Sequence, residues 1–160
     1  MNDSDRFDRR TVVRAIGGSA LAVSLAGCAD DEPEEMVDPP AAVDDFLTEN
    51  DATGYEGEML DATGQAGLTV EVGSGEMGLG FSPVAVAIDG GTTVTFEWTG
   101  EGGVHNVVAA DESDIDVDVE EEEIDAAGYT AEYTFDATGT YLYVCEPHIA
   151  QGKVGAIVVE

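Results

Sequence analysis

The chain has 160 residues, 43% of them apolar, and carries 35 acidic side chains against 5 basic ones, for a formal charge of -30. That apolar share is too high for a chain kept unfolded by charge, and the length suits one ordinary domain or a smaller domain with a tail. A surface of this sign repels phosphate, which excludes nucleic acids and anionic lipid headgroups as partners bound through their charge.

Four of the five basic residues, Arg6, Arg9, Arg10 and Arg14, precede the apolar run AIGGSALAVSLAG at 15–27. A basic start, a short apolar core and a small-residue end read as an export signal, because the run is too short to span a bilayer as a helix. Arg9-Arg10 followed by Thr11 and Val12-Val13 resembles a twin-arginine signal. The run closes in LAGC, which looks like a lipobox, so Cys28 is the expected lipidation site and 1–27 the segment removed. What remains has 32 acids and one base, Lys153, over 133 residues. So lopsided a balance, without scattered lysines, reads as adaptation to concentrated salt. The run DESDIDVDVEEEEID (111–125) then reads as a solvated surface, since in molar salt the Debye length is about 3 Å and steering of a cationic partner is screened.

Residues 28–44 are expected to be an acidic flexible tether. Positions 29–40 alone hold nine acids and prolines in twelve. The domain is expected over 45–160. It begins with an irregular acidic strap that runs to Gln65, preceded by one short helical turn in AAVDDFLTEN. From Gly67 the pattern changes to period two. GLTVEVG, PVAVAI, TTVTFEWT, VHNVVA, YTAEYTF, TYLYVC and VGAIVVE read as strands, with Gly, Asp and Pro in the turns between them. Val94, Phe96 and Trp98 share one face. About seven to eight such strands without helical periodicity predict an all-β, Greek-key β-sandwich, and Tyr141 and Tyr143 before Cys145 suit the tyrosine anchors of that architecture.

With Cys28 lipidated, Cys145 has no disulfide partner on an oxidising exterior. It lies in CEPH, three residues before His148, and the only other histidine is His105. One thiolate and two imidazoles are one ligand short of a closed structural zinc site and match the His2Cys set of a blue-copper electron-transfer site. The bland reading is a buried cysteine with two unrelated histidines. A sandwich, however, brings the start of the His105 strand and the end of the Cys145 strand to one pole.

EWTGEGGVHNVV and GTYLYVCEPHIAQGK-GAIVV, the latter interrupted by Val154, resemble the halocyanins, blue-copper proteins of salt-loving archaea within the plastocyanin–azurin family. The resemblance covers about residues 45–160 and implies a cupredoxin fold with one type 1 copper on His105, Cys145 and His148. It also implies that Asn106 ties the first histidine's strand to the cysteine loop. The implied protein is a monomeric one-electron carrier rather than an enzyme, lipid-anchored at the outer face of the membrane, serving membrane-associated redox donors and acceptors. Its exit route is the edge of His148, framed by Leu79, Pro147 and Ile149, with Ala150 nearby.

The sequence departs from the family pattern at one point. Lys153 stands where the family has its axial methionine, eight residues after the cysteine. A protonated amine is no ligand, so Lys153 is expected to swing outward toward Glu146, with the carbonyl of Val104 as a fourth contact and Met77 as a remote substitute ligand. Losing the thioether and gaining a charge both favour copper(I). The alternative readings are a redox-silent binding or scaffold cupredoxin that has lost useful copper, and a metal store or metal-activated enzyme with Lys153 as base.

Overall fold

A computed structural model describes residues 34–160. The segment 1–27, expected to be an export signal, and Cys28, the expected lipidation site, lie outside the described residues. The described part is a sandwich of two sheets. One sheet contains β1 (Glu35–Val37), β2 (Met59–Asp61), β5 (Ala85–Ile88), β7 (His105–Ala109), β8 (Glu120–Ile124), β10 (Gly139–Val144) and β11 (Val154–Val159), in the order β1-β2-β5-β11-β10-β7-β8. The other contains β3 (Gly67–Ser74), β4 (Gly80–Ser82), β6 (Thr92–Trp98) and β9 (Thr130–Phe135), in the order β4-β3-β6-β9. The all-β sandwich is as expected.

Period-two patterning decides the inner faces. Along β6 the inward residues Val94, Phe96 and Trp98 are buried as their spacing requires, and they meet Tyr141, Tyr143 and Ile157 of the opposite sheet. Strand β10 is buried on both sides. Tyr141 and Tyr143 point into the sandwich, while Leu142 and Val144 point outward beneath helix α1 (Ala41–Glu49). This helix forms because Val43, Phe46 and Leu47 recur at helical spacing and bury together against Leu142, Val144, Val154 and Ala156. Burial of each contributes about 1.5–3 kcal/mol.

Several expectations need correction. Among the described residues there are eleven strands where seven to eight were expected, the additional ones being β1, β2, β4 and β8. Residues 34–44 are not simply a tether: Glu35–Val37 pairs with β2, and a boundary at 45 cuts through α1. The expected single helical turn is a nine-residue helix, and the strap after it contains β2. In the acid run, Glu120–Ile124 is an edge strand paired to β7. Four successive glutamates have little intrinsic β preference, but a partner strand on one side overrides it, and their charge blocks further edge pairing.

The tyrosines of β10 behave differently. Tyr141 donates its hydroxyl to the Val117 carbonyl at 2.9 Å, whereas the fully buried Tyr143 hydroxyl has no partner. It is pressed against Gly155, where any Cβ would overlap the ring. An unpaired buried hydroxyl costs about 1–3 kcal/mol. Tyr143→Phe is therefore expected to raise stability by about 1 kcal/mol, read as a higher urea midpoint at unchanged slope. A loss of stability would show that the hydroxyl has a bonding role.

Candidate metal centre

The start of β7, the end of β10 and a short 3-10 segment bring the three candidate ligands to one pole of the sandwich. His105 opens β7 and Cys145 directly follows β10. His148 lies in the 3-10 segment Glu146–Gln151 that leads into β11. That segment is short because Pro147 sits near its start and Gly152, at φ 78°, ends it. His105 and Cys145 are fully buried, and His148 is half-buried.

The three donor atoms converge. The Cys145 Sγ lies 3.7 Å from His105 Nδ1 and 3.6 Å from His148 Nδ1, and the two Nδ1 atoms are 3.2 Å apart. A triangle with these sides has its centre about 2.0 Å from each corner, which suits metal–nitrogen bonds and falls slightly short of a metal–thiolate bond. His105 donates its Nε2–H to the Glu101 carbonyl at 2.6 Å, which leaves the Nδ1 lone pair free for a ligand role. The residues present thus fit a His2Cys metal.

The supports come from distant segments. The Trp98 indole donates to the His105 carbonyl at 3.0 Å and holds the start of β7. Asn106, also buried, donates to the Glu146 carboxylate at 2.7 Å and accepts from the Glu146 backbone N–H at 2.9 Å. Its amide also reaches the Glu121 carbonyl at 3.4 Å. One side chain therefore links β7, β8 and the cysteine loop. Glu101 is held by close backbone approach: Gly78, at φ 68°, packs so tightly that a Cβ there would lie 2.5 Å from the Glu101 carbonyl carbon. The sequence reading missed Glu101, although the GEGG turn before His105 was its signal.

Lys153 corrects the expectation. It does not swing outward: it is fully buried, and Glu146 bonds Asn106 instead. Its ammonium donates to the Gly80 carbonyl at 2.8 Å and the Gly78 carbonyl at 3.4 Å, and lies 4.5 Å from the centre of the Phe81 ring. Its own carbonyl accepts the Cys145 N–H at 3.0 Å, so the lysine is fixed to the ligand strand. Met77 is 79% exposed, its side chain open to solvent. Leu79 and Pro147 are half-buried and Ile149 is exposed; Val104, half-buried, precedes His105.

The electrostatics follow from burial. Burial pushes the His105 imidazole from 6.5 down to about 4, with the Lys153 charge and His148 acting in the same direction. Burial also raises the Cys145 thiol and lowers the Lys153 ammonium to about 8. In the metal-free protein, the unfolded chain binds a proton at His105 near pH 6.5, while the folded chain does not until about pH 4. Stability from this group is therefore complete above pH 6.5 and is lost as pH falls toward 4. The expected loss is on the order of 2–3 kcal/mol relative to His105→Gln, measured as the difference between their urea midpoints across that window. Parallel pH profiles for the two proteins would refute it.

Comparison with known proteins agrees with this centre. Residues 68–160 match the family model described as copper binding proteins, plastocyanin/azurin family. The chain is 45% identical to halocyanin from Natronomonas pharaonis over 165 residues, which take in 96% of this chain and 98% of that one. It is 36% identical to plastocyanin A/B from Petroselinum crispum over 96 residues, 56% of this chain and 97% of that one. Among solved structures, a purple cupredoxin from Nitrosopumilus maritimus overlays with a TM-score of 0.48 at 24% identity, covering 58% of this chain and 99% of that one. The chain belongs to the plastocyanin/azurin family of copper-binding proteins, the cupredoxin electron carriers, and His105, Cys145 and His148 are positioned as a possible site for the copper.

Proposed function

We propose that the protein is a one-electron carrier, not an enzyme, exported by the twin-arginine route and lipid-anchored through Cys28 at the outer face of the membrane. There it exchanges electrons with membrane-associated donor and acceptor proteins. The observation that carries this reading is the convergence of two imidazole Nδ1 atoms and one thiolate sulfur at mutual distances of 3.2–3.7 Å. Copper bound there supplies a reversible one-electron couple.

The chain's own residues make that exchange easy. Glu101 holds the His105 ring, Asn106 locks β7 to the cysteine loop, and β10 carries Cys145 from a close-packed core. Ligands held by a rigid frame move little when charge at the centre changes. His148 alone of the three is not fully buried, and Leu79, Pro147 and the 43%-exposed Ile149 form the apolar rim proposed as the contact surface for redox partners. The export and anchoring part of the proposal is supported by Arg9-Arg10 and the LAGC run.

Lys153 tunes the centre in this reading. With its ammonium bonded to the Gly78 and Gly80 carbonyls, it offers no ligand, and copper keeps three strong donors without a thioether. Both the missing thioether and the added charge favour the reduced state. The expected result is an intensely coloured copper(II) protein whose colour vanishes in Cys145→Ser, with a lower reduction potential in Lys153→Met than in wild type. A colourless copper-loaded wild type, with no reversible redox couple, would refute the carrier reading. For the anchor, Cys28→Ala should leave the membrane fraction; retention there would refute it.

A further inference from the structure

We propose that the buried ammonium of Lys153 makes this centre selective for a monovalent metal ion, copper(I), over divalent ions such as zinc(II). The inference rests on the proposed function only in taking His105, Cys145 and His148 as the metal ligands, and it does not require electron transfer. Donor type alone cannot provide such selectivity. A thiolate and two imidazoles suit zinc as well as copper, and three ligands with an open position are also the arrangement of catalytic zinc sites. What sets this centre apart is charge.

The cation is fixed in place. Two backbone carbonyls, from Gly78 and Gly80, and the face of Phe81 hold the ammonium, while the lysine carbonyl is bonded to the Cys145 N–H. These contacts include no carboxylate, so nothing beside it cancels its charge except the Cys145 thiolate. The residue is fully buried, which removes water as a screen. Gly78, which helps hold the ammonium, packs on Glu101, the residue bonded to His105, so the charge is built into the same turn that holds a ligand.

Counting charges then separates the ions. Without metal, Cys145 keeps its proton and the ammonium is the one charge at the centre; a metal displaces that proton, and the resulting thiolate offsets the ammonium. A monovalent ion leaves the centre with one net positive charge, and a divalent ion leaves it with two. Repulsion between the ammonium and the metal grows in proportion to the metal's charge, and inside a protein it is several times stronger than in water. Moving the ammonium away would release it from its only described hydrogen bonds, so the penalty is not readily relaxed. A neutral side chain at 153 removes this discrimination while leaving the three ligands untouched.

The test measures copper(I) and zinc(II) affinities of the full chain by competition with chelators at pH 6, with native mass spectrometry to count bound metal. Lys153→Gln and Lys153→Leu remove the charge with and without retention of a hydrogen-bond donor, respectively. Lys153→Met additionally offers a thioether. Each neutral variant is expected to gain zinc(II) affinity relative to copper(I) by about tenfold or more, one unit-charge repulsion at short range. An unchanged ratio in a folded variant overturns the proposal, as does a shift confined to Lys153→Met, which would trace the effect to the thioether. Should none of the variants fold, the wild type decides: it should bind copper(I) yet stay empty in micromolar zinc(II), and stoichiometric zinc binding overturns the selectivity. Failure to bind copper(I) at all would instead remove the copper reading itself.

Discussion

Asn106→Asp is expected to destabilise the metal-free protein at neutral pH by about 3 kcal/mol or more. The wild-type amide donates at 2.7 Å to the Glu146 carboxylate, so an aspartate places two carboxylates against each other at a position that is 1% exposed. The new acid can still accept from the Glu146 N–H, which distinguishes this variant from Asn106→Ala, where that N–H loses its partner. Like-charge contact and burial both raise the new carboxyl group's affinity for a proton. A raised folded-state value means that the folded protein binds the proton first, so the lost stability should return as pH falls below neutrality and vanish again as it rises. Asn106→Ala should cost less and show no such return. Urea midpoints at pH 7 and pH 5 for the two variants provide the check, and equal pH profiles would show that Glu146 does not face this side chain in solution. Because Asn106 links β7 to the cysteine loop, the aspartate variant should also release copper faster than wild type.

Gly152→Ala is expected to cost about 2–4 kcal/mol, combining a left-handed backbone at φ 78° with overlap onto a backbone carbonyl. A Cβ on Gly152 would run into the Asp51 oxygen, and backbone cannot yield as a flexible side chain would. This contact is where the N-terminal segment braces the ligand loop. The Thr53 N–H donates to the Gly152 carbonyl at 2.9 Å, and its hydroxyl donates to the Gln151 carbonyl at 3.1 Å. Displacing the brace should loosen His148 and leave Asn106 in place, so the variant should lose stability and copper retention together. A midpoint within about 0.5 kcal/mol of wild type, the usual range for an uneventful surface change, would refute the clamp.

The brace shows why the sequence reading stopped where it did. Val43, Phe46 and Leu47 have helical spacing, but only two and a half turns separate Pro40 from Asn50, too few for the periodicity to stand out among so many acids. Tertiary packing on Leu142, Val144, Val154 and Ala156 stabilises the helix. The same reason hid β8. Its glutamates carry no strand signal of their own, and the pairing with β7 supplies it. Strands such as β6, by contrast, alternate so regularly that their inward faces could be named residue by residue.

The composition of this chain already narrowed the metal ligands, because it offers two histidines and two cysteines, of which Cys145 alone lies close to a histidine in sequence, and donors this scarce leave little choice once a sandwich brings strand ends together. It also determined that a single base stands beside them in an otherwise acidic domain. Where that base points was decided only by tertiary structure. The carbonyls that hold Lys153 belong to Gly78 and Gly80, more than seventy residues away, and the obvious acidic partner, Glu146, is already taken by Asn106. Charge pairing can be guessed from a sequence, but a backbone carbonyl is present at every residue, so only the folded chain shows which ones are turned toward a buried cation.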